Sequence, residues 1–269
     1  MKKRIHFICN LTITLGLLIA TTGGYAQNTD QDFVPHSGQA GKDVVWVPTP
    51  QALVDTMLGM AKVTSADYVI DLGSGDGRTV ITAAKRGVTA LGIEYNPDMV
   101  ALATRAAQKE GVSAKATFKQ ADIFETDFSK ATVITLFLLP SLNLRLRPII
   151  LDMKPGTRIV SNTFDMSEWK PDQTVNLTED VNWSTAHLWI VPAKVEGTWK
   201  LNNGQVKITQ DFQYISGTLT MGNNEMKFTG KLDGNKISGN VEGTEFTGTV
   251  NGNSMSGTHS GGDTWKATR

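Results

Sequence analysis

The sequence predicts an α/β protein with a mainly parallel sheet covered on both faces, followed by a small all-β domain. Three observations predict it. From Tyr68 to Val191, short apolar and β-branched runs alternate with stretches of helical spacing, the pattern of parallel strands joined by crossover helices. From Gly197 onward that alternation stops: thirteen of the chain's 26 glycines fall there, and Asp-Gly-Asn (233–235) and Asn-Gly-Asn (251–253) mark hairpin turns. Finally, FTGKLDGNKISGNVEG (228–243) returns as FTGTVNGNSMSGTHSG (246–261) at an offset of 18, so that Phe228 matches Phe246, Leu232 matches Val250 and Ile237 matches Met255. A repeat of that length is two strands and their turn.

In chain order, Lys2, Lys3 and Arg4 precede an apolar run from Leu11 to Ala20 and the small-residue context Gly24-Tyr25-Ala26. This is the layout of a secretory signal over residues 1–26. The apolar run is short for a membrane span of ~20 residues, although an uncleaved anchor facing the cytoplasm is the alternative. An exported, periplasmic or envelope-associated protein is expected. Residues 27–44 are polar and aperiodic and read as a linker. The α/β domain is expected over 45–195 and the glycine-rich β-domain over 196–269.

Within the first domain, Leu53, Val54, Met57, Leu58 and Ala61 recur at helical spacing between Pro50 and Val63. Tyr68 to Leu72 is a strand. Arg78 to Arg86 is a helix stopped by Gly87. Val88 to Glu94 is the second strand, and Asn96 caps a helix with Pro97 in its first turn and Gly111 past its end. Strands are expected at Ala116–Gln120, Thr132–Leu138, Arg158–Thr163 and Ala186–Val191, with a helix between Pro140 and Lys154. In the second domain, GTWK (197–200) and DTWK (263–266) open and close the region. Pairing of these two ends closes a small barrel; an open meander packed on the first domain is the alternative.

Composition narrows the function. The chain has 26 basic and 26 acidic residues; without Lys2, Lys3 and Arg4, 23 basic residues face 26 acidic ones, a net of −3. No basic surplus exists for a nucleic-acid partner. The single cysteine, Cys9, lies in the signal-like segment, which excludes disulfides, a thiol nucleophile and thiolate-ligated zinc from the rest. The histidines stand at 6, 36, 187 and 259 without ligand spacing, so no metal site is expected.

The candidate site begins at VIDLGSGDGR, Val69 to Arg78. Its strand ends in Asp71 and runs into Gly73, Ser74, Gly75, Asp76 and Gly77 before a helix. Glycines let the main chain approach a ligand closely, and the helix start presents free N–H groups. A nicotinamide-binding loop needs Gly or Ala three residues after Gly75, where Arg78 stands. Glu94, ending the second strand in LGIEYN and followed by Tyr95, can accept hydrogen bonds from two ribose hydroxyls. In QADIF after the third strand, Asp122 can accept from an adenine amino group and Ile123 can cover the ring. Three acids at the carboxyl ends of three successive strands occupy the ligand-binding edge of an open α/β sheet.

VIDLGSGDGR, LGIEYN and QADIF resemble the signature segments of class I S-adenosylmethionine-dependent methyltransferases. VPTPQALVDTML and TLFLLPSLNLRLRPIILDMKPGTRIVSNTFDM further resemble the ATP synthase c-subunit lysine methyltransferase-like family, which is distantly similar to Dot1-type histone lysine methyltransferases. The resemblance implies a Rossmann-like, seven-stranded, mainly parallel methyltransferase sheet, S-adenosyl-L-methionine as cofactor, and a protein lysine or small amine as acceptor. It also implies that Pro48, Thr49, Pro50, Phe137, Leu138, Leu139 and Pro140 line the donor and acceptor pockets. The signal-like start and the glycine-rich tail depart from that family and weigh against the ATP synthase protein as substrate.

No general base stands out, and the catalytic residues stay unassigned. The fourth-strand segment, TLFLLP, lacks the Asn/Asp-Pro-Pro-aromatic of enzymes that methylate nucleobase amino groups. Phe137, Leu138 and Leu139 suit a lysine, because a low-dielectric channel favours its neutral, nucleophilic form, or they simply pack the strand end. Phe164 and Asp165 could add a second wall, and His187 reads more readily as a packing histidine than as a base. The competing reading is an exported binding module with a vestigial methyltransferase fold, whose β-domain docks on an envelope partner.

Overall fold

The computed structural model describes residues 33–177 and 183–269. The expected signal segment, 1–26, lies outside the described residues. Among the described residues, four helices, α1 (Gln51–Met60), α2 (Arg78–Lys85), α3 (Pro97–Lys109) and α4 (Pro140–Leu151), accompany a seven-stranded sheet. Its strands are β1 (Tyr68–Leu72), β2 (Thr89–Glu94), β3 (Ala116–Gln120), β4 (Val133–Leu136), β5 (Arg158–Asn162), β6 (Gln173–Asn176) and β7 (Thr185–Ile190). They lie in the order β3-β2-β1-β4-β5-β7-β6. β1 to β5 are parallel, and β7 runs antiparallel to both neighbours.

The order reverses beside β1, so the loops after β1 and β4 diverge and open a crevice at their carboxyl ends. The strands next to that crevice are buried on both faces: every residue of β4 and all but the first of β1 and β5 are buried. One face of the sheet packs under α1, α2 and α3 through Leu53, Leu58, Val80 and Ala107. The other packs under α4 through Leu142, Leu146 and Ile150, with Phe128 and Trp169. Helix α3 starts as its sequence dictates: Asn96 Oδ1 accepts from Asp98 N at 2.9 Å, and Pro97 occupies the first turn.

Gly77 caps α2 at φ +80°, and a Cβ there would lie 2.6–2.8 Å from Phe118 and Ala103. Gly77→Ala combines an unfavourable left-handed residue with a clash in the core between α3 and β3. It is expected to lower the unfolding free energy by about 3 kcal/mol, read as a lower urea midpoint at unchanged slope.

The strand after α3 and β3 ends at Leu136, sooner than the expected Leu138. Leu136 pairs with Ser161 in the last rung of the β4–β5 ladder, and Phe137 and Leu138 turn away into the crevice. β6 was not expected from the sequence. It is an edge strand with exposed or half-buried residues throughout, so no apolar alternation marks it.

Eight further strands form a closed antiparallel barrel. They are β8 (Gly197–Leu201), β9 (Gly204–Asp211), β10 (Tyr214–Met221), β11 (Asn224–Asp233), β12 (Lys236–Val241), β13 (Thr244–Asn251), β14 (Ser254–His259) and β15 (Thr264–Thr268). Closure is made by the two terminal segments: Ala267 pairs with Leu201 and Thr268 with Lys200. The matched repeat positions, Leu232 with Val250 and Ile237 with Met255, all point into the barrel core. One end of the barrel abuts the sheet. Gln213 Nε2 donates to Lys170 O at 2.8 Å, Ala193 N donates to Gly234 O at 2.8 Å, and the Phe212 ring stacks on Trp169 at 6.1 Å.

Candidate active site

A crevice of about 210 Å³ opens over the tips of β1, β2, β3 and β4. Asp71, Gly73, Ser74, Gly75, Asp76, Glu94, Tyr95, Asp122 and Ile123 all line it. Gly77 stands outside the lining, because its place is the packed start of α2. Gly75, at φ +51°, lies so close to the Trp46 indole that a Cβ would meet Nε1 and come within 2.9 Å of Cδ1. The buried Ser74 hydroxyl belongs to the same loop and has no hydrogen-bond partner among the described residues. A closely approached main chain and an unsatisfied buried hydroxyl fit a polar ligand held against this turn.

The three acids differ in their surroundings. Asp71 is buried, and its Oδ1 accepts from Thr135 Oγ1 at 2.5 Å. Burial pushes its carboxyl up to about 7; the Thr135 hydroxyl opposes this, and the neighbouring charges of Glu94 and Asp76 add to it. Glu94 accepts from Gly75 N through Oε2 and from Asn96 N through Oε1, both at 2.9 Å. Each of its oxygens keeps a further lone pair for a ligand hydroxyl. Asp122 accepts from Phe124 N at 2.8 Å and is ion-paired with Lys42. The Lys42 ammonium and the Phe124 N–H hold its carboxyl below the usual carboxylate range.

Lys42 was not foreseen. It lies in the stretch read as linker, yet residues 39–47 line the crevice, held by paired main-chain bonds between Gly38 and Trp46 and between Trp46 and Gln39. Its ammonium also sits 4.8 Å from the centre of the Tyr95 ring. Lys42 therefore occupies the polar edge that an adenine amino group would use on Asp122. Lys42→Ala is expected to tighten binding of an adenosyl ligand modestly, measured by calorimetry at low salt.

Asp76 is engaged by Arg78, with Nη2 to Oδ2 at 2.6 Å and Nε to both oxygens at 3.0 Å. Arg78 Nη1 in turn donates to Thr49 O at 3.0 Å, and Asn162 Nδ2 donates to the Thr49 hydroxyl at 3.3 Å. This brace fixes the Pro-Thr-Pro segment between β1 and β5. Pro48 and Thr49 line the crevice, whereas Pro50 serves as the cap of α1 and stands outside it.

The opposite wall comes from β4, β5 and β7. Phe137, Leu138 and Leu139 line it, while Pro140 is the exposed first residue of α4 and does not. The rings of Phe137, Phe164 and Trp183 form a cluster with centroids 5.4–6.1 Å apart. Thr163, just before the wall residue Phe164, and Trp183, within the wall, are held at positive φ, 59° and 67°. A β-branched residue there is strained. Bonds from Thr163 N to Thr185 O (2.7 Å) and from Ser161 Oγ to Phe164 O (2.7 Å) hold the turn that aims Phe164 at the crevice. Trp183 escaped the sequence reading because it stands alone before β7 with no motif around it. Asp165 turns outward and accepts from Ser167 N. His187 is spent within the sheet, Nδ1 on Thr174 Oγ1 at 2.9 Å and Nε2 facing Thr163 O at 3.2 Å. The wall of Phe137, Leu138, Leu139, Phe164 and Trp183 carries no titratable group.

A parallel sheet of this strand order with an antiparallel β7, a glycine loop after β1 and acids at the tips of β1 to β3 define a class I S-adenosylmethionine-dependent methyltransferase. The model of the ANTKMT methyltransferase domain matches residues 71–173, ending before the barrel. A protein-lysine N-methyltransferase of Saccharolobus islandicus (strain REY15A) is 40% identical over 163 residues, covering 59% of this chain and 96% of that protein. The chain belongs to the protein-lysine N-methyltransferase family that these similarities delimit. The human lysine N-methyltransferase of the ATP synthase c-subunit is 31% identical over 140 residues, 52% of this chain and 60% of that protein's length. Among solved structures, an RNA methyltransferase from Salinibacter ruber in complex with S-adenosyl-L-homocysteine is 48% identical at a TM-score of 0.52, covering 55% of this chain and 96% of that one.

Proposed function

We propose that the protein transfers a methyl group from S-adenosylmethionine to the side-chain amine of a lysine in a protein. The observation that carries this reading is the apolar aromatic wall facing the glycine loop across one crevice. S-adenosylmethionine supplies a methyl group already activated on a sulfonium. The chain's own residues then have three tasks. Gly73, Ser74, Gly75, Glu94, Asp122 and Ile123 bind and orient the adenosyl part. Phe137, Phe164 and Trp183 exclude water and disfavour the ammonium form of the lysine, so that the amine presents its lone pair. Pro48 and Thr49, braced by Arg78, close the side of the channel. Alignment of this kind supplies ~7–11 kcal/mol of a barrier without a strong base.

The solved relative named for RNA raises a nucleobase acceptor. The segment Thr135–Pro140 offers no carboxamide or carboxylate to receive a base amino proton, which supports an aliphatic amine instead. Incubation with methyl-labelled donor and three acceptors separates these: a lysine-containing protein extract, free lysine or another small amine, and RNA. Label on lysine residues of protein is the expected result. Label confined to RNA, or no donor binding at sub-millimolar concentration, overturns the reading; label on free amine shifts it to a small-molecule acceptor.

Export is supported by the basic start, the apolar run Leu11–Ala20 and the small residues at 24–26. An exported methyltransferase needs a supply of donor outside the cytoplasm, and an envelope partner for the β-domain belongs to the same reading. Cell fractionation with N-terminal sequencing tests it: a soluble cytoplasmic chain that retains Met1 overturns export.

A further inference from the structure

We infer that the β-barrel is a cup that takes up one aliphatic chain through the end facing away from the sheet. The two ends of the barrel differ. At the end against the sheet, Val195, Trp199, Ile215, Leu232 and Val250 are all buried and plug the lumen. At the far end, Leu201, Val206, Leu219, Met226, Val241 and Phe246 are only partly buried and surround a cavity of about 280 Å³. An eight-stranded barrel is just wide enough either to be filled by its own side chains or to hold one small ligand.

The sequence repeat explains why this lumen is not filled. Gly217, Gly230, Gly239, Gly248 and Gly257 occupy inward positions at mid-height on five successive strands, β10 to β14, with Gly230 opposite Gly239 and Gly248 opposite Gly257. Aromatic rings come up against three of these glycines in the space a side chain would take. A Cβ on Gly217 would meet Phe228 at 2.7 Å, on Gly239 Phe246 at 2.7 Å, and on Gly248 Trp265 at 2.5 Å. Phe228, Phe246 and Trp265 therefore line one side of the wall edge to face, with centroids 6.1–6.2 Å apart, and the centre above Phe228 stays open.

The lining selects the occupant. It is aliphatic, thioether and aromatic, with Thr244 and His259 as its only polar side chains. Water in such a space lacks the two to four partners it needs, and apolar cavities of about 150 Å³ already take up benzene. Every strand of the barrel is paired on both sides, which leaves no edge for a peptide strand to join. A narrow lumen with one mouth admits a single linear chain end-on. The turn residues Asn202, Asn203, Asn223, Glu242 and Ser260 at that mouth leave a polar head in water, and Met226 and Met255 adapt to the chain.

The test uses the full chain with ¹³C-methyl-labelled methionine, titrated with decanoic acid and with 1-decanol below their aggregation limits. The methyl resonances of Met226 and Met255 and the Trp265 fluorescence are expected to shift and saturate at one equivalent, while Met57, Met60 and Met99 beside the sheet stay in place. Val241→Trp, which fills the mouth, is expected to abolish saturation, and Leu219→Lys, which places a charge there, to weaken it at least tenfold. Phospholipid vesicles form a separate arm: shifts with vesicles but not with the free amphiphiles overturn uptake of a single free chain. Absence of a saturable shift, shifts spread equally over all methionines, or unchanged binding by both variants with folded spectra also overturn the inference.

Discussion

Replacing Asp71 by asparagine is expected to stabilise the fold above neutral pH while weakening donor binding at least tenfold. Asp71 is 6% exposed, with a carboxyl pushed up from 3.8 to about 7, chiefly by burial. An acid whose folded value is raised binds its proton more tightly in the native state. Its contribution to stability is therefore full below pH about 4 and is lost as pH rises through about 7. At about 1.4 kcal/mol per unit, that loss comes to about 4 kcal/mol as an upper figure. The amide cannot ionise, so the Asp71→Asn chain should keep its stability between pH 5 and 8 where the parent loses it, visible in urea midpoints across that range.

Donor binding runs the other way. A cationic donor bound in the crevice that Asp71 lines would favour its carboxylate, so affinity for S-adenosylmethionine should rise with pH up to about 7 and level off above it. Binding at pH 6 should release a proton, detected by calorimetry in two buffers of different ionisation enthalpy. S-adenosylhomocysteine lacks the sulfonium charge and should show a shallower dependence. A mutant that binds the donor as tightly as the parent at pH 8 would remove Asp71 from the site.

Phe137→Ala is expected to cut kcat/KM for a lysine acceptor by about 30- to 100-fold, some 2–3 kcal/mol, with donor affinity unchanged within about twofold. Phe137 is one of three mutually packed rings, 6.1 Å from Phe164 and 5.8 Å from Trp183, and follows β4 directly in the crevice lining, so its loss opens the wall. Water then reaches the lysine, its ammonium form regains hydration, and the fraction of neutral amine falls. The diagnostic is the pH–rate profile: the apparent pKa of the acceptor limb should move upward in the mutant, which a loss of packing alone would not produce. Trp183→Ala should act in the same direction but more weakly, because that side chain is already 39% exposed. Equal loss of donor binding in Phe137→Ala would assign the ring to the donor side instead.

Much of this site was legible because its signals are local. Asp71 and Glu94 stand at the ends of strands whose apolar runs show within a few residues, Asp122 follows the third strand by two residues in its own short motif, and the turns beside them carry their own chemistry in glycine, asparagine and proline. The barrel was legible for a related reason: its repeat writes strand, turn and strand into every 18 residues, and its two ends carry the same tryptophan-containing segment. β6 was illegible because an exposed edge strand needs no apolar face.

By itself the sequence determined the class of sheet, the succession of its helices and of its strands other than β6, the glycine loop, the acids beside it and the double nature of the chain, because periodicity and turn chemistry depend only on near neighbours. The tertiary structure alone decided that Lys42 meets Asp122 across 80 residues, that Thr49 meets Asn162 across 113, and that Phe137, Phe164 and Trp183 share one wall. It also decided which end of the barrel is plugged and which is open. Contacts of that range depend on which strand tips the sheet order brings side by side, and no spacing along the chain encodes that.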